Sequence, residues 1–172
     1  KNSSFLYLVS EFINSCFLNV TNFTAKPYTS ALSALTDEEK NQGSVCIDIG
    51  AGTTSISVFI DGSIVYAKSL NLGGWYITND ISKELNTPFD QAEALKTLYG
   101  SALRGANDGE EIFQIPLIGG NDENRLSFSR SKLISIIKPR FWEILMHSKK
   151  CIEQSGYRDI SNKNTIITGG TM

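Results

Sequence analysis

The residues most suited to chemistry lie in the stretch CIDIGAGTTSISVF, residues 46–59. An apolar run brings Asp48 to a tip of small and hydroxyl-bearing residues, namely Gly50, Ala51, Gly52, Thr53 and Thr54. Because few side chains obstruct such a tip, its backbone N–H groups can converge on anionic oxygens, above all those of phosphate. A carboxylate beside a phosphate repels it unless Mg²⁺ lies between them, and Mg²⁺ keeps most of its waters. The stretch therefore predicts a metal–phosphate clamp in which Asp48 holds Mg²⁺ through water.

An ordinary tight turn explains the same residues equally well. In that interpretation the two glycines let the chain reverse, and Asp48 caps the turn. The stretch is not a P-loop, because no Gly-Lys-Ser/Thr follows and no helix begins there. It is not the dinucleotide fingerprint either, because it leads into a strand. Taken alone, the stretch leaves the metal–phosphate clamp and the structural turn open.

Three further features favour the phosphate interpretation. TGG at residues 168–170 is a second passage from a predicted strand into glycines. Glu93 and Lys96 lie three residues apart, on one side of a predicted helix. Gly73 and Gly74 precede another helix, whose N-terminus favours an anion. Each feature singly is typical of a common turn or a solvated surface pair, so the argument depends on their combination.

A β-rich scaffold must position this tip. Residues 45–49, 55–60 and 63–70 are rich in apolar and β-branched residues, and the tip joins the first two runs. Asp61-Gly62 joins the last two, and this dipeptide is a strong hairpin signal because both central positions of a type I′ turn need φ > 0. Two successive hairpins predict an antiparallel meander.

Helices are predicted before the meander. Apolar residues recur at helical spacing over residues 5–18. A short strand is predicted at residues 20–24. A single helix then begins near Pro27, carries Leu35 on its apolar face and ends at Gly43.

Helices and short strands alternate after the meander. An apolar stripe runs through residues 77–85, and a second helix follows with Thr87 as N-cap, Pro88 at its first position and Gly100 just past its end. Strands are predicted at 112–119, near 126–128 and at 164–168. Between the last two, a helical pattern begins at residue 131. Pro139 either kinks this helix or begins a second one, which ends at Gly156.

Composition excludes several classes of function. The formal net charge of −2 gives no broad electrostatic footprint for nucleic acid or an anionic membrane. The three cysteines, Cys16, Cys46 and Cys151, are far apart and odd in number, so we expect reduced, mostly buried thiols rather than disulfides. The chain begins with lysine and ends just after TGG, which suggests a fragment.

Several other residues are interpreted as structural. The single histidine, His147, is expected on the surface of a helix. Trp75 and Trp142 are interpreted as packing residues, although Trp142, beside Arg140, also suits a protein interface. A solvated helix face is the favoured interpretation of a modest basic cluster, made of Arg130, Lys132, Lys138 and Arg140.

The order of these features resembles the actin-like ATPases, the superfamily of actin, Hsp70 and the sugar kinases. DIGAGTT is similar to their second phosphate motif, and the terminal TGGTM to the start of their adenosine motif. The wider context resembles one branch, the FtsA family of bacterial cell-division proteins. The matching stretches include SALSALTDEEKNQG, LNLGGWYITNDISKELNTPFDQAEALKTLYG and IIKPRFWEIL.

The resemblance implies an α/β fold, an actin-like (ribonuclease H-like) lobe with a mixed sheet, antiparallel hairpins and flanking helices. Residues 1–43 would be the end of the first lobe, with the interdomain helix. Residues 44–78 and 163–172 would form a 2A-like core, and residues 79–162 a 2B-like insertion.

The resemblance also implies a function in cell division. Such a protein binds ATP with Mg²⁺, polymerises into actin-like filaments and links the FtsZ ring to the inner membrane at the division site, where it recruits other division proteins. Its membrane contact would come from a C-terminal amphipathic helix that this chain lacks, and no nucleic acid is implied. Localisation would be cytoplasmic, at the inner face of that membrane. Another actin-like ATPase, such as an Hsp70-type chaperone or a rod-shape protein, is the alternative.

The family's roles transfer residue by residue. Asp48 would orient Mg²⁺ and the attacking water, and the tip residues 50–54 would line the β- and γ-phosphates. Gly74 would approach the nucleotide from below. Glu93 and Lys96 would meet the ribose and adenine edges. The opposite side of the adenosine would contact three residues, Gly169, Gly170 and Thr171.

Two departures from the family pattern concern catalysis. Ala51 replaces a common glycine, and Ser55 replaces a second aspartate near the metal. The loss of this charge favours a scaffold controlled by bound nucleotide over an efficient enzyme, with weak ATPase activity at most. Because the family's first phosphate hairpin is not part of this sequence, we expect the isolated chain to be inactive.

Overall fold

The computed structural model describes residues 3–103, 105, 108–116, 125–161 and 164–171. Its strands are β1 (Ser44–Ile49), β2 (Thr54–Ile60), β3 (Ser63–Leu70), β4 (Ile112–Pro116), β5 (Arg125–Ser129) and β6 (Thr165–Thr168). Its helices are α1 (Ser3–Ser15), α2 (Lys26–Ala34), α3 (Asp37–Gln42), α4 (Gly74–Glu84), α5 (Phe89–Tyr99), α6 (Arg130–Gln154) and α7 (Arg158–Ser161).

Four strands form a mixed sheet in the order β3-β2-β1-β6. The β1–β2 and β2–β3 pairs are antiparallel, as the meander predicted, and β6 lies parallel to β1. The remaining strands β4 and β5 form a separate antiparallel pair. The expected mixed α/β class with antiparallel hairpins is confirmed.

Both central strands are buried because helices cover both faces of the sheet. All of β1 is buried, and so is β2 except for its last residue. On one face, Cys46 and Phe59 pack with Ala31 and Leu35. On the other, the sheet shares a larger core with residues of α4, α5, α6 and the β4–β5 pair. This second face, where the predicted stripe of α4 is buried, carries the elements that frame the site.

The region before the sheet differs from its prediction in two ways. The single helix from Pro27 to Gly43 is two helices, because Thr36 and Glu39 form a capping box that begins α3. Leu35 is extended between them and still reaches the core. The strand at residues 20–24 is also wrong: this segment adopts neither helix nor strand and is mostly exposed, so it gains no burial that would stabilise a strand.

The helices after the sheet mostly follow their predictions. The N-cap of α5 is Pro88 rather than Thr87, and Gly100 does not take the expected left-handed conformation, since its φ is −64°. The two alternatives at Pro139 resolve to one continuous helix, α6. Residues 117–119 of the strand predicted at 112–119 lie outside the described residues.

Several side chains lie where the sequence did not place them. Trp142 is 62% exposed, so the interpretation as a packing residue is wrong for it and the interface alternative stays open. Trp75 is 49% exposed and packs its ring against Phe89. Cys16 is exposed, whereas Cys46 and Cys151 are buried as expected.

The predicted basic face is partly an ion-pair network. Arg140 donates to both carboxylate oxygens of Asp80, at 2.6 and 3.2 Å, which ties α6 to α4. Arg130 pairs with Glu111 at 2.9 Å. The interpretation as a solvated helix face is therefore wrong for both arginines, while His147 is exposed as expected.

Candidate nucleotide site

The tip between β1 and β2 is anchored to the start of α4. Gly50 N–H donates to Thr53 O (2.9 Å) and closes the tip. Gly74 N–H donates to Gly50 O (2.9 Å), and Trp75 N–H donates to Ala51 O (2.7 Å). These N–H groups at the start of α4 are therefore used by the tip rather than left for an anion, which corrects the expectation for this helix N-terminus.

This anchoring sets the direction of the tip's remaining donors. In a trans peptide the C=O and the following N–H point in opposite directions. Since the carbonyls of Gly50 and Ala51 face α4, the N–H groups of Ala51 and Gly52 face away from it. Gly52 is exposed, and a Cβ placed on it would meet no atom of the described residues within 4 Å. The tip thus presents N–H donors on an open side, as a phosphate cradle requires.

Close contacts explain the glycines around the tip. A Cβ on Gly73 would overlap Gly50 O and Ala51 O, and a Cβ on Gly74 would overlap the Thr171 hydroxyl. Thr171 in turn donates from its hydroxyl to Gly50 O (3.2 Å) and from its N–H to Ile49 O (3.3 Å). The end of β1, the tip, the start of α4 and the segment after β6 therefore converge at one point.

Asp48 lies behind the tip and is almost fully buried. Its Oδ2 accepts from Ser30 Oγ (2.7 Å) and pairs with Lys26 Nζ (2.9 Å), both on α2. Its Oδ1 faces the turn after β6, because a Cβ on Gly169 would lie 2.7 Å from it. Gly169 also has φ +116°, which favours glycine there.

Ser55 on β2 and Cys46 on β1 lie near Asp48 in the sheet. Ser55 is its register partner on β2, and Ser55 Oγ is buried with no hydrogen-bond partner among the described residues. An unpaired buried hydroxyl beside a carboxylate suits a site for a metal-bound water, so these residues fit Mg²⁺ held through water. Burial, and next the charge of Asp48, raises the pKa of Cys46 to about 11, so this thiol stays protonated at neutral pH.

The two threonines of the tip differ in availability. Thr53 is only partly buried. Thr54 is buried, and its hydroxyl donates to Leu72 O (2.7 Å), so that hydroxyl is already used within the fold.

The predicted Glu93–Lys96 pair forms the other half of the site. Lys96 Nζ donates to Glu93 Oε2 (2.7 Å) and Thr78 Oγ1 (2.8 Å), and the Thr78 hydroxyl also bonds Glu93 Oε2. Partial burial raises the pKa of the Glu93 carboxyl, but the hydrogen bonds from Lys96 and Thr78 outweigh this effect and hold it below its ordinary value. Glu93 is therefore ionised at neutral pH.

A cleft of about 240 Å³ lies beside this pair. Lys96 lines it from α5, and Gly170 and Thr171 line it from the segment after β6. Apolar side chains such as Ile77, Ile137 and Phe141 complete its wall. A pocket with apolar walls and a few convergent polar groups is typical of small-molecule sites.

The structure thus joins the two groups of predicted residues. Gly74 and Thr171 are in contact and belong to both: they touch the tip on one side and the Lys96 network or the cleft on the other. Sequence reasoning missed Lys26, Ser30 and Thr78. The i, i+4 spacing of Lys26 and Ser30 places both on one face of α2, but nothing local connects that face to Asp48, 18 residues after Ser30.

Comparison with known proteins now identifies the family. The family model "Cell division protein FtsA" matches residues 45–168, which include the tip, the α4–α5 network and β6. The chain belongs to the FtsA family. It is 38% identical to FtsA of Rhizobium meliloti over 159 residues, which cover 92% of this chain and 36% of that protein. It is 32% identical to FtsA of Pseudomonas aeruginosa over 163 residues, which cover 95% of this chain and 39% of that protein.

The FtsA-family chain also shares its fold with solved actin-like ATPases. It aligns with MreB5 of Spiroplasma citri bound to ADP with a TM-score of 0.76 and 21% identity, covering 96% of this chain and 53% of that one. This likeness confirms the expected actin-like fold. The chain spans less than two fifths of the length of the two FtsA relatives. None of the described helices combines the length and apolar character needed to cross a membrane.

Proposed function

We propose that this FtsA-family chain forms one wall of a Mg-ATP cleft and acts in division as a nucleotide-controlled scaffold. The observation that carries the proposal is the convergence of four segments on Gly50, Gly74 and Thr171. MreB5 of Spiroplasma citri, which shares the fold, was solved bound to ADP, and this supports a nucleotide as the ligand here. ATP and Mg²⁺ are the ligands we assign to the site.

The phosphate end of the site would use the tip. The outward N–H groups of Ala51 and Gly52, with the Thr53 hydroxyl, would bind the β- and γ-phosphates. Asp48 would hold Mg²⁺ through water, and the Ser55 hydroxyl, which has no hydrogen-bond partner within the described ranges, supports that arrangement. When bound, Mg²⁺ would screen the repulsion between the buried carboxylate and the phosphates.

The adenosine end would use the cleft. Lys96 and Glu93, already oriented by Thr78, would contact the ribose and the adenine edge. Gly169, Gly170 and Thr171 would contact the adenosine from the other side, while Gly74 approaches the nucleotide from below. The apolar wall of the cleft suits a flat aromatic base.

The scaffold interpretation is favoured over an efficient enzyme. Asp48 Oδ2 already has two partners, and Ser55 brings no second negative charge to the metal. A carboxylate engaged in this way is a poor base for activating water. We therefore expect slow hydrolysis, with the bound nucleotide acting mainly on the conformation that supports polymer contacts.

The wider role is proposed from the family. The protein would polymerise into actin-like filaments and link FtsZ and other division proteins to the cytoplasmic face of the inner membrane. Residues 1–43 would end the first lobe, residues 44–78 and 163–172 would form the 2A-like core, and residues 79–162 the 2B-like lobe. The other wall of the cleft would come from the first lobe.

Asp48→Ala in a protein that contains both lobes tests the metal role. We expect the affinity for Mg-ATP to fall by tenfold or more, about 1.4 kcal/mol, with little loss for metal-free ATP. Calorimetric titrations with Mg²⁺ and with EDTA measure both affinities. Asp37→Ala, which removes an exposed carboxylate on α3, is the control. Equal losses with and without Mg²⁺ would show that Asp48 is only a structural cap.

A further inference from the structure

Lys26 holds a position that the proposed function has not used. It is the first residue of α2, and its Nζ lies 2.9 Å from Asp48 Oδ2. The Asp48 side chain is 8% exposed, but that of Lys26 is 50% exposed. The ion pair thus connects a buried carboxylate to an ammonium that still reaches solvent.

The ammonium also lies at the tip itself. A Cβ placed on Gly50 would be only 2.8 Å from Lys26 Nζ. Lys26 Nζ is therefore close both to the buried carboxylate and to Gly50, the residue just before the proposed phosphate cradle. An ammonium has three N–H donors, and the bond to Asp48 uses one.

We propose that Lys26 is a phosphate-binding residue that substitutes for the metal when ATP arrives without Mg²⁺. This inference rests on the proposed function. By pairing with Asp48, Lys26 removes the negative charge that would otherwise repel a phosphate, and its remaining donors face the anion. Ser30, one turn later on α2, bonds the same carboxylate oxygen and fixes the carboxylate on that side.

The proposal gives Lys26 and Asp48 opposite metal dependence. Without Mg²⁺ the ammonium is the cation nearest the phosphates, so metal-free binding depends on Lys26. With Mg²⁺ present, the metal supplies most of that positive charge, and binding depends on Asp48. Asp48→Ala should therefore bind metal-free ATP at least as tightly as the unmodified protein, because it frees the ammonium and removes the repulsion.

Lys26→Met and Lys26→Arg, in the protein with both lobes, test this crossed pattern. Lys26→Met should lose at least about tenfold in affinity for ATP in EDTA, as expected for one charge-assisted phosphate contact, and clearly less in Mg²⁺. Lys26→Arg should recover most of the loss. Lys40→Met is the matched control, since Lys40 also pairs with an aspartate, Asp37, at 2.6 Å. This pair is far from the tip, because the Lys40 carbonyl on α3 accepts from Gly62 N–H at the opposite end of the sheet.

Three outcomes would overturn the proposal. Unchanged or tighter metal-free binding by Lys26→Met would show that Lys26 does not contact the phosphates, and it would leave the proposed function standing. Equal losses in EDTA and Mg²⁺ with a lower melting temperature would make Lys26 a structural residue. No ATP binding by the unmodified two-lobe protein under either condition would overturn the proposed function, and this inference with it.

Discussion

Strand β2 begins and ends in glycine-containing turns that use glycine for different reasons. Asp61 and Gly62, after β2, have φ of +49° and +73°, the left-handed values that a type I′ hairpin needs. None of the residues 50–53, all described, has a positive φ. The backbone conformation therefore explains the glycine in the Asp61-Gly62 turn. It does not explain the small residues of the tip.

The tip instead makes close contacts with other segments. The tip carbonyls receive the N–H groups of α4 at a distance that leaves no space for a side chain on Gly73. The opposite side of the tip is open at Gly52. The exposed Gly52 is required neither by a left-handed backbone nor by limited space inside the fold. This difference from Asp61-Gly62 supports our proposal that the tip binds an external ligand.

Gly52→Val should have the largest effect on function. We expect loss of measurable ATP binding in the two-lobe protein, because the side chain would occupy the open side where the phosphates approach. Stability should change by no more than about 0.5 kcal/mol, since a Cβ at Gly52 has no neighbour within 4 Å in the described part of the chain. Calorimetry and thermal melts measure the two quantities. Retained ATP binding would mean that the tip is not the phosphate site.

Gly73→Ala should have the largest effect on stability. Its Cβ would overlap two backbone carbonyl oxygens of the tip, so α4 and the tip must separate. We expect a loss of about 2–3 kcal/mol in the free energy of unfolding. Gly109→Ala is the control, because a Cβ there meets nothing within 4 Å among the described residues. Chemical denaturation measures the stability of both variants. Equal stability would show that α4 and the tip are not packed as closely at Gly73 as we infer.

The two turns were also predictable to different degrees. Asp61-Gly62 and the alternating runs beside it specify the hairpin locally, so the meander followed from the sequence. The capping box of Thr36 and Glu39 was also local, but the apolar pattern that continues to Leu35 favoured a single helix. The strand at residues 20–24 failed because strand propensity stabilises little without a pairing partner.

The contacts of the candidate site could likewise be predicted only where they join residues that are close in the sequence. The i, i+3 spacing of Glu93 and Lys96 predicted that they lie on one side of a helix, and the structure joins them in an ion pair on α5. The partners of Asp48 on α2 depend on how that helix packs against the sheet, and no local pattern encodes this. The contact between Gly74 and Thr171 likewise joins segments that are distant in the chain.

Gly62→Val should have an intermediate effect, confined to stability. Valine at φ +73° is strained by about 1–2 kcal/mol. The Asn41 side chain, which would lie 2.8 Å from the new Cβ, can move aside. Thermal melts should show the loss, and the affinity for ATP of the folded protein should be unchanged. The pattern is the reverse of Gly52→Val, so the two variants serve as controls for each other.

Asp61→Asn should have the smallest effect. Asparagine enters the left-handed region as readily as aspartate, so the turn keeps its geometry at φ +49°. Asp61 is exposed, so the lost charge is solvated and the free energy of unfolding should change by less than about 0.5 kcal/mol. ATP affinity should also be unaltered, because this turn lies at the opposite end of β2 from the tip. Denaturant titration and calorimetry would test both values. A clear loss of ATP affinity in a stably folded Asp61→Asn protein would mean that this turn also acts on nucleotide binding, and the contrast between a structural and a functional turn would fail.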